Sequence, residues 1–227
     1  MSEEYALIKF EKECIEPKPL VASEKLDALV GYCAEFANRG FTRSYEEMPE
    51  SVRSERGYPD KGSEGNLSYR EDGDAFVVTG SQLPTKRGLS SADFAMVTGA
   101  TSHGNEVKLT YAGTRAPSSE SIMHDVIYRT MPAIGAIFHG HDDDLVETFE
   151  RWLDRWTGTD AIAYTSVVPK PGTRETSDSV IAALANGARF VVIRKHGFVS
   201  VGETMVEAFS TYVDGMAQMK KELADLQ

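Results

Sequence analysis

Apolar positions recur at helical spacing at Ala22, Leu26, Leu29, Cys33 and Phe36, which predicts a helix with Ser23 near its start as a cap and Gly40 at its end. Residues 1–21 show no such period and are closed by Pro17 and Pro19, so they read as an N-terminal arm. Residues 42–62 are charged, contain Pro49, Gly57 and Pro59, and read as a long surface loop with room for a helical turn. A loop of that length is either a lid or binding segment, or a plain insertion.

Short strand-like stretches follow at 66–70, 75–79, 93–98 and 107–111, separated by Asp-Gly, Thr-Gly and Gly-Asn turn signals. A helix is predicted from near Ser119, burying Ile122, Met123, Val126, Ile127 and Met131 and stopping before Pro132. A strand from Ile134 to His141 then runs into an acidic helix start at Asp142–Asp144, and that helix buries Leu145, Phe149, Trp152, Leu153 and Trp156. A further helix at 176–187 precedes the apolar strand Phe190–Arg194. The last helix spans about 203–226, with Val206, Phe209, Val213, Met216 and Leu223 on one side. Interspersed helices and strands imply an α/β fold with a central sheet covered on both faces. The tight turns between 66 and 111 favour a mixed, largely antiparallel sheet, with residues 22–227 forming a single domain.

Composition narrows the function classes. The chain has 227 residues and a net charge of −11, which disfavours nucleic acid and anionic membrane surfaces as partners. No apolar run approaches the roughly 18 residues that span a bilayer. The acidic N-terminus lacks a basic start and an apolar core, so no secretory signal is expected and the cytoplasm is the default location. Two cysteines, Cys14 and Cys33, do not make a disulfide framework.

Five histidines make a small set, and three of them have suggestive positions. His139 and His141 sit at i and i+2 near a strand end, so both rings point to one face, and Gly140 between them leaves space on the other. The pair reads either as half of a metal site or as two packed or exposed histidines. Strand alternation from Phe190 through Val192 and Arg194 puts His196 on one face, with Gly197 turning the chain. Two strand-end sites would together supply three nitrogens with a position open for substrate. Pro117-Ser118-Ser119-Glu120 reads as a capped helix start, or as an anion site with Glu120 beside it. His124, one turn on, is a partner of that site or simply core. Gly62-Ser63-Glu64-Gly65-Asn66-Leu67-Ser68 and Thr79-Gly80-Ser81 read as ordinary turns, or as donors around a phosphate.

Taken in order, Gly-Asn-x-Ser, Thr-Gly, Ser-Ser-Glu, His-x-His and His-Gly resemble the class II aldolase/adducin family, over about 63–210. The resemblance implies a three-layer α/β/α sandwich and a cytoplasmic homotetramer with sites between subunits. It implies His139, His141 and His196 as ligands of zinc or another divalent first-row ion such as manganese or cobalt, and Glu120 as the acid/base. Ser63, Asn66, Gly80, Ser118 and Ser119 match positions that hold a substrate phosphate. The implied reaction is reversible aldol cleavage of a phosphorylated ketose to dihydroxyacetone phosphate and an aldehyde. The metal would stabilise the enediolate and Glu120 would move the proton. Dehydratase, decarboxylase and epimerase chemistry belong to the same family, as do non-catalytic adducin-like modules. Three features depart from its pattern: Asp142 directly after His141, the long segment 42–62, and a short segment 157–171 that leaves Tyr164 as the nearest match to the aldolases' tyrosine. Arg115 is a substrate contact or a surface charge.

Overall fold

The computed structural model describes residues 10–103, 106–156, 159 and 161–226. Its frame is a nine-stranded sheet in the order β1-β5-β4-β3-β2-β6-β9-β8-β7. In chain order these strands are β1 (Glu11–Glu16), β2 (Asn66–Arg70), β3 (Phe76–Thr79), β4 (Phe94–His103), β5 (Glu106–Ala112), β6 (Ala136–Gly140), β7 (Ile162–Tyr164), β8 (Phe190–Ile193) and β9 (Gly197–Gly202). Only the two outermost pairings, β1 with β5 and β7 with β8, are parallel. The helices are α1 (Glu24–Asn38), α2 (Glu50–Arg56), α3 (Ser121–Thr130), α4 (Asp143–Trp152), α5 (Arg174–Leu184) and α6 (Met205–Asp225).

Strand alternation divides the core into two layers. Leu67, Ala136, Phe138, Phe190, Val192 and Phe198 meet α1, α4 and α6 on one face. Val78, Ile137, Val191, Ile193, Val199 and Val201 meet α3 and α5 on the other. The result is the three-layer α/β/α sandwich around a mixed, largely antiparallel sheet that the sequence led us to expect. Local chemistry fixes the helix starts. Ser23 accepts from the Leu26 amide at 3.2 Å, Asp142 from Leu145 at 3.1 Å and Thr204 from Glu207 at 3.2 Å.

Several elements differ from the sequence reading. Within the expected arm, Glu11–Glu16 forms a strand beside β5, and Lys12 Nζ donates to the Pro117 carbonyl at 2.6 Å. The strand is almost wholly exposed, so it has no apolar alternation to betray it; residues 1–9 of the arm lie outside the described residues. The 42–62 segment holds a 3₁₀ turn at Tyr45–Glu47 and the short helix α2. The Gly-Asn turn at 104–105 and part of the segment 157–171 also lie outside the described residues. Val206, expected on the buried side of α6, is 63% exposed; it sits in the first turn, before the helix settles onto the sheet. Strands β7 and β9 had not been expected. The second is buried on both faces and so shows no alternation.

Candidate active site

Register brings the site together. In the antiparallel pairing of β2 with β6, Asn66 lies opposite His139 and Ser68 opposite Ile137. These side chains therefore share the face covered by α3. Two residues beyond His139, the chain leaves the strand at His141, whose amide donates to the Phe41 carbonyl at 2.8 Å.

Gly140 between the histidines is a packing requirement. A Cβ there would lie 2.6 Å from the Tyr212 hydroxyl and 2.7 Å from the Phe41 carbonyl. The space the sequence reading expected on that face is filled by α6.

His196 arrives by a turn and not by alternation along a strand. β8 ends at Ile193 and the His196 amide donates back to the Ile193 carbonyl at 3.0 Å. Lys195 between them adopts φ 55°, a left-handed conformation uncommon for a side chain of its size. The reversal swings the imidazole over Glu120.

Glu120 precedes α3 and is buried. Its Oε1 lies 2.9 Å from His196 Nε2, and its Oε2 lies 3.1 Å from His139 Nε2. Burial alone would push this carboxyl upward, but the imidazoles of His139 and His196 outweigh it and hold Glu120 well below the ordinary carboxylate range. Burial likewise works against charge on His139, yet Glu120 and the Phe198 carbonyl at Nδ1 raise its proton affinity above the ordinary imidazole value. His139 Nδ1 donates to that carbonyl at 2.9 Å, which leaves Nε2 for the cluster.

The four side chains fit a cation. One ligand atom from each of Glu120, His139, His141 and His196 lies within 4.8 Å of the others. His139 Nε2 and His141 Nε2 approach to 3.1 Å, so a proton or a cation must lie between them. Two nitrogens on one tetrahedral zinc stand roughly 3.4 Å apart, close to what is observed. His141 Nδ1 faces Glu64 Oε1 at 3.5 Å, and Arg43 bridges Glu64 and Asp143. A carboxylate behind a ligating imidazole fixes its orientation.

A directed chain of hydrogen bonds ends on Glu120. The Tyr128 hydroxyl meets Ser68 Oγ at 2.7 Å, and Ser68 Oγ meets His124 Nδ1 at 2.6 Å. His124 Nε2 meets Asn66 Oδ1, and Asn66 Nδ2 donates to Glu120 Oε2 at 2.8 Å. Burial lowers His124 to about 3, so it is neutral. With the Asn66 oxygen accepting, His124 must carry its proton on Nε2 and take the Ser68 proton at Nδ1. All five side chains are buried.

The cluster opens into a cleft of ≈ 620 Å³ walled by Tyr45, Tyr58, Glu64, Glu120, His141 and His196. A second chamber of ≈ 500 Å³ shares its wall of Ser63, Ser118 and Ser119 and is also lined by Gly80. Four of the five residues expected around a phosphate, Ser63, Gly80, Ser118 and Ser119, thus line that chamber. Asn66 lines the first cleft, and its amide is already engaged by Glu120 and His124. Tyr164 stands apart, packed on Phe149 and Trp156 and 40% exposed. Arg115 backs Gly80 and pairs with Asp93 at 3.1 Å.

Sequence reasoning missed Lys86, Tyr45 and Tyr58, and gave Glu64 no role of its own within its motif. The two tyrosines stack at 4.4 Å between ring centres, and Tyr58 donates to Glu64 at 3.3 Å, which makes the 42–62 segment one wall of the cleft. Their only signal was membership of an unusually long segment, whereas Lys86 had none.

Comparison with known proteins agrees with this architecture. A methylthioribulose-1-phosphate dehydratase of Serratia proteamaculans is 38% identical over 77 residues, a match spanning 34% of this chain and 34% of that protein. An L-fuculose phosphate aldolase of Methanococcus vannielii is 29% identical over 156 residues, covering 65% of this chain and 77% of that one. A sugar-phosphate aldolase from Thermotoga maritima superposes with a TM-score of 0.63 at 18% identity, covering 89% and 94% of the two chains; at that identity the likeness concerns the fold. The family model described as class II aldolase and adducin N-terminal domain matches residues 54–218, and the chain belongs to that family.

Proposed function

We propose that the chain is a metal-dependent lyase acting on a phosphorylated ketose, with reversible aldol cleavage to dihydroxyacetone phosphate and an aldehyde as its reaction. The reading rests on one observation: a buried Glu120 is held against His139 and His196 at the wall of an open cleft. His139, His141 and His196 would hold a divalent ion such as zinc, manganese or cobalt. When bound, that ion supplies Lewis-acid stabilisation of negative charge developing on substrate oxygens.

The protein's own groups do the rest. Glu120 returns a proton to the substrate carbon after cleavage, or removes it in the synthetic direction. Asn66 fixes the carboxylate from one side, so its free oxygen lone pairs keep one direction. The serine-lined chamber takes the phosphate end, Tyr58 walls the other end against water, and Tyr45 borders both.

Dehydration of a sugar phosphate is the second reading. It is favoured by the name of the Serratia relative and by the hydrogen-bonded Tyr58–Glu64 pair in the same cleft, which can supply a proton to a departing hydroxyl. The deciding experiment incubates zinc-loaded protein with fuculose 1-phosphate and, separately, with methylthioribulose 1-phosphate. Dihydroxyacetone phosphate from the first supports cleavage, and a product of the second lighter by one water supports dehydration. Neither product, with metal bound, would remove both readings.

A further inference from the structure

Lys86 is a buried ammonium with no ion-paired carboxylate among the described residues. It is 2% exposed, and its Nζ donates to Ser63 Oγ at 2.8 Å. Ser63 in turn gives its proton to the Leu83 carbonyl at 2.7 Å, so its oxygen is free to accept from Lys86. No Asp or Glu among the described residues lies within ion-pair distance of Lys86. An ammonium carries three donors, and Ser63 takes one.

The surroundings select for an anion. The chain carries 35 acidic residues and 24 basic ones, yet the chamber is lined by Lys61 and Lys86 and, among the described residues, by no carboxylate. Its remaining walls include Gly80, Ser81, Ser118 and Ser119, small residues that offer hydroxyl and backbone donors. A lone buried charge is unfavourable unless something of opposite sign joins it.

We propose that Lys86 is the charge-recognising residue of this chamber and pairs with the phosphate monoester end of the substrate. This rests on the phosphorylated-ketose reading above, and it assigns the discrimination between phosphorylated and unphosphorylated sugars to one side chain. Desolvation lowers Lys86 to about 8, with Cys33, Glu64 and Glu120 as the titratable groups acting to raise it. The ammonium is therefore only moderately stable as a cation in this chamber, and a dianion beside it would stabilise the charged form.

The test measures inorganic phosphate binding to the zinc-loaded, full-length protein by calorimetry, on wild type and Lys86→Met. The variant keeps an unbranched apolar stem, one atom shorter, and removes the charged donor group together with its bond to Ser63. We expect it to lose phosphate affinity by about 10- to 100-fold, the worth of a hydrogen bond to a charged group, with zinc stoichiometry unchanged and thermal stability equal or higher. Should the variant fail to fold, the wild-type pH profile carries the test: phosphate affinity should fall as pH rises through about 8. Equal affinity in both proteins, or no phosphate binding and no pH dependence in the wild type, overturns the assignment. Lys86-dependent phosphate binding without turnover of any sugar phosphate would leave the assignment standing and remove the lyase reading. Turnover indifferent to the substrate's phosphate would do the reverse.

Discussion

Asn66 Nδ2 donates to Glu120 Oε2 over 2.8 Å, and the same amide's oxygen receives His124. Asn66 was expected at the phosphate; its side-chain amide is bonded to the carboxylate proposed to move the proton. Replacing it with leucine leaves the buried His124 N–H without its partner, while Glu120 Oε2 loses one contact and keeps His139 Nε2 at 3.1 Å. The unpaired N–H costs about 1–3 kcal/mol of stability, which chemical denaturation measures. Catalytic turnover should fall by about 100-fold, because a small displacement of a proton-transfer group is expensive, while zinc stoichiometry should stay as in the wild type. A variant that turns over normally would show that Asn66 does not position Glu120.

Metal retention separates ligands from the residues behind them. His139→Ala should purify without stoichiometric metal, whereas the wild type should carry about one ion per chain by elemental mass spectrometry. Glu64→Ala should still bind zinc, with affinity weakened by about 10- to 100-fold through the loosened His141 ring. Equal affinities in Glu64→Ala and wild type would mean that the Glu64–His141 contact is incidental.

His124 gives the metal-free protein an acid weakness whose sign can be worked out. Its folded value of about 3 lies below the ordinary 6.5, so between those values the unfolded chain binds one more proton than the folded one. The stability owed to a neutral His124 is complete above 6.5 and is lost as pH falls towards 3, by up to about 1.4 kcal/mol per pH unit. Urea titrations of wild type and His124→Asn over that range should differ in slope by this amount. Parallel pH profiles would mean that His124 is protonated in the fold.

Gly140 has a measurable penalty for any side chain. Gly140→Ala should destabilise the protein by about 1–3 kcal/mol through overpacking. Adding Tyr212→Phe removes the hydroxyl at 2.6 Å but leaves the Phe41 carbonyl at 2.7 Å, so the double variant should recover only part of the loss. Full recovery in thermal melts would show the backbone to be more yielding there than its contacts indicate.

The sequence was most informative where an element has one wet and one dry side. Leu26, Leu29, Cys33 and Phe36 revealed α1, and the spacing of His139 and His141 revealed which face they share. It was silent where burial is uniform or absent, as in β9 and β1. His196 lay beyond its reach in a different sense: its residue type was suggestive, but a left-handed Lys195 decides where it points. Lys86 and Arg87 are neighbouring cations with nothing to tell them apart in one dimension. In the fold, Lys86 lines a chamber, while Arg87 caps the Ala37 carbonyl and pairs with Glu47 at the surface.

Strand β1 has a consequence for how the protein can be handled and regulated. Lys12 on this strand grips the carbonyl of Pro117, a residue 105 positions away and just ahead of Ser118 and Glu120. Detaching the strand, by a nick behind it or a bulky fusion in front, would release that loop. The same event would bare the hydrogen-bonding edge of β5, which can then recruit a strand from another molecule. The N-terminal strand thus ties the loop ahead of Glu120 and the edge of β5 to a single attachment, and one cut there would loosen both.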